Sequence, residues 1–144
     1  MSAAAASDLD LSSALRMSVM RLARRMRAQR SDDSLTQSQL SALATLDRHG
    51  ELSPTSLAEH EKVQPPSMTR IVAALEERGL VERVAHPTDR RQAVIRLTKV
   101  GGSILAEDRR RREAWLARQL RACSEEEMAA LRAAAPVLDR LSRS

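Results

Sequence analysis

From Leu11 onward the apolar residues fall at Leu11, Leu15, Val19, Leu22 and Met26, spacings of four, four, three and four. That period predicts one stripe of a long helix, with Arg16, Arg21, Arg24 and Arg27 on its other sides. Met1 to Asp8 shows no period, is rich in Ala and Ser, and reads as a frayed tail. Ser31 to Leu35 is polar and unpatterned, which predicts a connector. Thr36 with Gln39 fits a capping box, so a second helix starts there, turns Leu40, Leu43, Ala44 and Leu46 inward and stops at Gly50. Glu51 and Leu52 suffice only for a stub of strand. Ser53 then caps a short helix that has Pro54 at its first position, where a missing amide costs nothing, and that buries Leu57 and Ala58 before ending near Glu61. After a turn at Val63 and Gln64, Pro65 and Pro66 open a fourth helix with Met68, Ile71, Val72 and Leu75 inward and Gly79 at its end. Two helices joined by a turn of about four residues are the outline of a helix-turn-helix.

The period then changes to two. Leu80 to Ala85 and Gln92 to Thr98 read as strands, with Ala93, Ile95 and Leu97 marking one face of the second. The polar turn His86-Pro87-Thr88-Asp89-Arg90-Arg91 between them carries three potential cations, and the hairpin so formed is a wing. Thr98 can cap a fifth helix with Ile104, Leu105, Trp115, Leu116, Leu120 and Cys123 in its apolar positions. Ser124 with Glu127 forms another capping box, opening a last helix striped by Met128, Leu131, Ala135, Leu138 and Leu141, which Pro136 should kink or weaken. The fold class is therefore mainly α with a small β-hairpin wing. The end helices carry apolar stripes with no place in so small a winged module, so they must pack on each other or on another chain.

The chain has 144 residues with no Phe, no Tyr and one Trp. An aromatic-poor core must be built from Leu, Ile, Val, Met and Ala, which disfavours a β-sandwich. It also disfavours RNA modules and single-strand binders, which stack bases on aromatic rings. Lys and Arg number 24 against 19 Asp and Glu, a net charge of +5, and all the basic residues but Lys62 and Lys99 are Arg. A polyanion is then a reasonable partner, with duplex DNA favoured over other nucleic acids, although a GC-rich genome writing Arg for Lys gives the same composition. The absence of long apolar runs and of a signal peptide predicts a cytoplasmic protein without a membrane partner. A lone Cys123 excludes an internal disulfide framework and a zinc site of several cysteines. No metal, cofactor or enzymatic chemistry is expected: His49, His60 and His86 lack metal-site spacing, and no nucleophile elbow, phosphate-binding loop or carboxylate pair occurs.

Leu35-Thr36-Gln37-Ser38-Gln39-Leu40, Leu57-Ala58, Ser67-Met68-Thr69-Arg70-Ile71-Val72, Leu75-Glu76-Glu77-Arg78-Gly79-Leu80-Val81-Glu82-Arg83, Asp89-Arg90-Arg91 and Leu97-Thr98-Lys99-Val100-Gly101 together resemble the MarR family of bacterial transcription regulators. The Leu-Glu-Glu-Arg-Gly-Leu-Val segment recurs in other winged helices; followed by Asp-Arg-Arg and Leu-Thr-x-x-Gly it is highly specific. The resemblance spans roughly residues 13 to 141. It implies an obligate homodimer, triangular in outline, with the first, fifth and sixth helices of both subunits intertwined. It also implies a pseudo-palindromic operator, usually near the protein's own promoter, and release of DNA when a small compound binds between the two regions. Residues 1–34 would then be tail and dimerisation helix, 35–100 the DNA-binding module and 101–144 the C-terminal dimerisation helices.

On this resemblance the recognition helix runs from Pro65 to Arg78, with Gln64, Pro65, Pro66, Ser67, Thr69 and Arg70 nearest the major groove. Arg70 can bridge the O6 and N7 of guanine; its alternatives are a phosphate contact or an ion pair with Glu76 or Glu77. Pro65 and Pro66 stand where polar residues are commoner and offer only ring contacts to a thymine methyl. In the family the Asp of the wing orients the second Arg after it, which enters the minor groove; Arg91 takes that role by position and Asp89 the supporting one, with Arg90 on a phosphate. Thr36, Ser38, Ser53, Thr55 and Ser56 can present hydroxyls or helix-start amides to phosphates, or simply cap helices. The Arg109 to Arg112 run reads as a solvated face paired with Glu107, Asp108 and Glu113, or as part of an effector crevice.

The expected function is a homodimeric, sequence-specific regulator of duplex DNA, a repressor relieved by an anionic or lipophilic effector. Leu15, Met17, Val19, Leu43 and Trp115 are the candidate walls of the effector pocket, in which a ligand would be held by aliphatic packing and Arg. Two alternatives stay open: a dimeric winged-helix interaction module with only non-specific DNA affinity, and a redox-sensing regulator acting through Cys123. Against the latter, family members that sense oxidants carry Cys near the start of the first helix, and Cys123 at the end of an apolar stripe reads as a buried thiol.

Overall fold

Short polar signals start most of the helices. Thr36 accepts a hydrogen bond from the Gln39 amide at 3.1 Å while Gln39 accepts from the Thr36 amide at 2.9 Å; Ser124 and Glu127 repeat this box. Ser53 caps the third helix by accepting from the Ser56 amide. The structure is a computed structural model and describes residues 3–144, with side chains from residue 7 onward. Met1 and Ser2 of the expected tail lie outside the described residues. In chain order the elements are α1 (Ala3–Arg27), α2 (Gln37–His49), α3 (Pro54–Glu61), α4 (Pro65–Glu77), β1 (Val81–Ala85), β2 (Ala93–Leu97), α5 (Lys99–Leu120) and α6 (Glu125–Ser142). The expected tail is thus corrected from Ala3 on: the Ala-rich stretch has high helix propensity and continues α1. α6 runs through Pro136 as one helix.

The chain divides into two compact units, Arg30–Arg110 and the remainder, which holds α1, the later part of α5 and α6. The first unit is wider than the 35–100 module read from the sequence, because the polar connector and the start of α5 are packed into it. Leu35 is buried, as are Leu105 and Asp108. The Asp108 carboxylate accepts from the amide and the hydroxyl of Ser31, both at 2.7 Å, and so pins the connector to α5. Asp108 is therefore not the solvated partner of the arginine run that its position suggested. Arg110 pairs with Glu107 and Arg109 with Asp47 instead.

The core of this unit is aliphatic. Leu43, Leu46, Leu57, Met68, Val72, Leu75, Leu80 and Ile95 are each 2% exposed or less. β1 and β2 pair antiparallel, with Val81 opposite Leu97 and Ala85 opposite Ala93. The Leu52 stub adds a third short strand through a bridge to Ile95, whose amide reaches the Leu52 carbonyl at 2.7 Å. The strict alternation expected of β2 fails at Val94, which is buried while Ala93 is exposed. Val94 stands opposite Val84, and such directly opposed side chains shield each other on the second face of the sheet.

The hairpin is fastened to the helices at one junction. Gly79, in the left-handed region at φ 72°, turns the chain from α4 into β1. Thr98 donates its hydroxyl to the Gly79 carbonyl at 2.7 Å and its amide to the Leu80 carbonyl at 3.1 Å, then accepts from the Gly101 amide at the start of α5. α5 lies so close that a methyl on Gly101 would stand 2.3 Å from the Leu80 oxygen and 2.7 Å from a Leu97 methyl carbon.

The second unit is built differently. On α1, Leu9, Leu11, Leu15, Met17, Val19, Met20 and Leu22 are all exposed, and α6 has no buried residue, with Leu131, Val137, Leu138 and Leu141 open. Trp115 of α5 is the exception, buried with the Arg25 guanidinium 5.0 Å from its ring centre. No helix among the described residues is long and apolar enough to cross a membrane.

Replacing Gly101 by Ala should destabilise the protein by about 1–3 kcal/mol, the usual cost of overpacking against an unyielding neighbour. Gly102→Ala, whose added methyl would meet only Leu97 at 3.9 Å, should be neutral or stabilising by up to about 1 kcal/mol, as for Gly→Ala in a helix. Urea unfolding midpoints of the two variants would show the contrast.

Candidate nucleic-acid interface

α3 and α4 meet at a turn set by Lys62, a non-glycine residue in the left-handed region at φ 55°. The Val63 amide reaches back to the Ala58 carbonyl at 3.1 Å and the Lys62 amide to Glu59 at 3.2 Å, closing α3 as a Schellman-type end. Glu61, at the end of α3, accepts from Ser41 at 2.6 Å and from Thr45, both on α2, which locks the two supporting helices together. α4 then begins at once. Gln64 makes no side-chain cap, and Pro65 and Pro66 fill the first two helical positions.

This start has a chemical consequence. The prolines have no amide, and the amides of Ser67 and Met68 both bond to the Gln64 carbonyl, at 3.0 and 3.1 Å. A helix start ordinarily offers unpaired amides to an anion; α4 has none left in its first turn, so its contacts must come from side chains. Gln64, Ser67, Thr69 and Arg70 are all exposed, and Met68 is buried as expected. The Thr69 hydroxyl donates to the Pro65 carbonyl at 3.0 Å, which leaves it only as an acceptor toward a base. An open groove brings Ser67, Arg70 and Ile71 of α4 together with Thr36, Ser38 and Gln39 at the start of α2. Arg70 forms no ion pair among the described residues. Glu76, one of its possible partners, is taken by Arg83 of β1 at 3.3 Å.

The hydroxyl candidates separate by their bonding. Thr36 accepts within its capping box, so its proton is free to donate, and Ser38 and Thr55 are exposed. Ser53 both accepts from the Ser56 amide and donates to the Ser56 hydroxyl at 3.0 Å. That hydroxyl is spent on capping, and Ser56 itself is half-buried.

The other end of α4 is held by the connector. Arg78, its C-cap, pairs with Asp32 and donates to the Ser34 hydroxyl at 2.8 Å. Hydrogen bonds from the Ser34 hydroxyl and then from Arg78 bring the Asp32 carboxyl down to about 2. This clamp was not legible in the sequence, since 44 residues separate Ser34 from Arg78. On the hairpin, Arg96 pairs with Glu82 directly across the strands, and Glu82, with help from Glu51, holds the guanidinium above its ordinary value.

The wing turn is organised from within. The Asp89 carboxylate accepts from the backbone amide of Arg91 at 3.0 Å, while the Gln92 amide bonds the Asp89 carbonyl and the His86 amide bonds the Gln92 carbonyl. Asp89 therefore fixes the backbone at Arg91, in the manner of an Asx turn, and leaves the guanidinium unpaired. Arg90 and Arg91 are exposed, with no ion pair among the described residues.

Of the expected effector residues, Leu15, Met17 and Val19 are exposed on α1, Trp115 is buried under Arg25, and Leu43 is fully buried in the core of the winged unit. Cys123 lies beyond the end of α5, half-buried in the turn to α6 with its sulfur 4.0 Å from the Gln119 carbonyl. It does not end the apolar stripe in a buried position, because α5 stops at Leu120. His49 and His60 stack at 4.3 Å at the ends of α2 and α3.

A helix-turn-helix followed by a hairpin with unpaired arginines at its tip defines a winged helix-turn-helix protein. The MarR family model matches residues 35–93. An uncharacterized HTH-type transcriptional regulator of Mycobacterium bovis is 41% identical over 92% of this chain and 92% of its own. The HTH-type transcriptional repressor MdtR of Bacillus subtilis is 36% identical over 65% of this chain and 61% of its own. Among solved structures, one from Pseudomonas aeruginosa, described as that of a candidate transcriptional regulator, has 36% identity and a TM-score of 0.85, covering 95% of this chain and 97% of the other. Staphylococcus aureus MepR, solved as a mutant bound to an oligodeoxyribonucleotide, shares the fold at 21% identity and a TM-score of 0.71, covering 92% of this chain and 96% of its own. The chain belongs to the MarR family of HTH-type transcriptional regulators, which are not enzymes.

The clamp at Asp32 makes a pH-dependent contribution whose sign is fixed. A folded-state value of about 2, below the ordinary 3.8, stabilises the fold above the unfolded value, and that stabilisation is lost as pH falls through about 4 toward 2. Both side chains are partly exposed, so the effect on stability should be small. In Arg78→Ala the Asp32 carboxyl should titrate closer to the ordinary value, a change that a carboxyl-detected NMR titration would read directly.

Proposed function

We propose that this regulator is a homodimeric, sequence-specific repressor that grips a pseudo-palindromic duplex operator and lets go when an anionic or lipophilic effector binds. The observation that carries the reading is the wing tip, where Asp89 is spent on the backbone of Arg91 and neither Arg90 nor Arg91 has an ion pair among the described residues. A guanidinium so placed is suited to the negative potential of a narrow A·T minor groove. Arg70, beside the groove shared with Thr36, Ser38 and Ser67, supplies the major-groove counterpart. The oligodeoxyribonucleotide-bound relative supports DNA as the partner, and the repressor MdtR supports the sense of regulation.

Dimerisation is supported by the second unit. A helix with apolar residues on several sides belongs in an interior, and α1 and α6 leave such residues open in the single chain. A second copy covering them would double the net charge of +5 presented to DNA. For the effector, a groove along α1 lined by Arg16, Met17, Met20, Arg21 and Arg24 offers aliphatic contact and cations side by side. Action in the cytoplasm, where operators are, belongs to the same proposal.

Binding should fall by about 10³- to 10⁵-fold between 50 and 200 mM salt, as for roughly 6 to 10 phosphate contacts. Arg91→Ala should cost about 1–3 kcal/mol, chiefly at A·T-rich flanks, while Arg70→Ala should relax base preference. A shift assay against excess scrambled duplex tests this; unchanged affinity in Arg91→Ala at fixed salt would remove the wing from the interface.

Sedimentation should show a dimer, and the paired change Leu131→Glu with Leu138→Glu should yield monomer, since burying unpaired carboxylates in an apolar contact costs several kcal/mol (about 3–5 for a broken buried pair). A wild-type monomer at micromolar concentration would refute the dimer.

A further inference from the structure

The turn that presents Arg91 is itself centred on a histidine ring. His86 Nδ1 lies 3.2 Å from the Thr88 amide, 3.2 Å from the Asp89 amide and 3.2 Å from the Thr88 hydroxyl. Two of these three neighbours are backbone N–H groups, which can only donate. Nδ1 must therefore be the acceptor, and the ring proton sits on Nε2. One step further along, Asp89, whose amide the ring holds, accepts from the amide of Arg91. His86 thus does for Thr88 and Asp89 what an Asx side chain does in a turn, taking the amides two and three residues on.

We propose that His86 is a positioning residue for the DNA-contacting wing, and that the wing keeps its binding shape only while Nδ1 is unprotonated. Protonation turns Nδ1 from acceptor to donor and sets an N–H against two backbone N–H groups. The cationic ring would also compete for the carboxylate of Asp89, whose amide it otherwise holds and which is the acceptor that fixes Arg91. Other charges near the hairpin are committed elsewhere: Arg83 to Glu76, and Arg96 to Glu82 and Glu51. Within the turn itself the charged residues are Asp89, Arg90 and Arg91. Histidine is the side-chain type whose charge changes nearest neutrality, which makes pH the variable that tests the device. Its sign is distinctive. Added positive charge on a DNA-binding protein should by itself tighten binding at lower pH, whereas a loosened wing weakens it.

The inference rests on the wing reading above, so the test separates the two. Binding of the full-length protein, and of its His86→Ala, His86→Asn and Arg91→Ala variants, is measured at pH 8 and pH 5.5 at fixed ionic strength. The probe is a duplex selected from a random pool by the wild type. His86→Ala should bind about 5- to 30-fold more weakly at pH 8, the scale of one or two lost hydrogen bonds, and no more weakly than Arg91→Ala. His86→Asn, whose carbonyl oxygen can accept the same two amides, should recover to within about twofold and should lack the acid-induced weakening of the wild type. In amide NMR spectra of the free protein, Thr88, Asp89 and Arg91 should shift together with the His86 ring as pH falls. If His86→Ala binds like the wild type while Arg91→Ala is weak, the positioning role is wrong and the wing reading stands. If Arg91→Ala also binds like the wild type, both fall. An Asn variant as weak as the Ala variant, or turn amides that ignore the ring titration, would overturn the proposal independently of any DNA measurement.

Discussion

The contact between Gly101 and the Leu80 carbonyl holds four elements at once. A side chain at Gly101 would occupy the same space as that oxygen, so only glycine lets α5 approach. Around the contact, Thr98 joins the end of β2 to the end of α4 and to the first turn of α5. α4, both wing strands and the helix that leaves the module are therefore fixed by a few bonds to backbone groups. Thr98 is the one side chain they commit, and its β-branched χ1 is stiff, which suits a hairpin whose sheet has only two full strands and a bridge at Leu52. A two-stranded ribbon alone is marginal in water; this one is anchored here and to the aliphatic core through Ile95.

The charges divide along the same logic. Arg78, Arg83 and Arg96 hold parts of the module together, pairing with Asp32, Glu76 and Glu82. Arg70, Arg90 and Arg91 sit on the parts so held and have no such partner among the described residues. Net charge suggests a polyanion only weakly; on α4 and at the wing tip, pairing leaves Arg70, Arg90 and Arg91 open to one. The two prolines of α4 sharpen this division, since they remove backbone amides that a helix start ordinarily offers to an anion and leave only side chains there.

Most of the elements were legible because their signals are local. Thr36 with Gln39, Ser53 with Pro54, and Ser124 with Glu127 mark helix starts within four residues, and the change of period at Leu80 marks the hairpin. What escaped depended on distant neighbours. Leu35 reads as part of a polar connector until the core closes over it, and Asp108 reads as one charge among many until Ser31 reaches it from 77 positions away. Leu43 fits a helical stripe facing a core or a pocket equally well, and only packing decides for the core. In the wing, Asp89 and Arg91 stood out in the sequence, but the bond that joins them is to a backbone amide, which sequence patterns do not show. His86 looked like an ordinary turn residue for the same reason.

The burial of Trp115 has an optical consequence. It is the sole tryptophan, and the chain has no tyrosine, so intrinsic emission comes entirely from the unit formed by α1, the later part of α5 and α6. The winged unit is dark. Arg25 stacked on the ring ties that emission to the seating of α1 against α5. Fluorescence thus follows one half of the molecule while circular dichroism follows both, and any difference between the two signals separates the halves without a label.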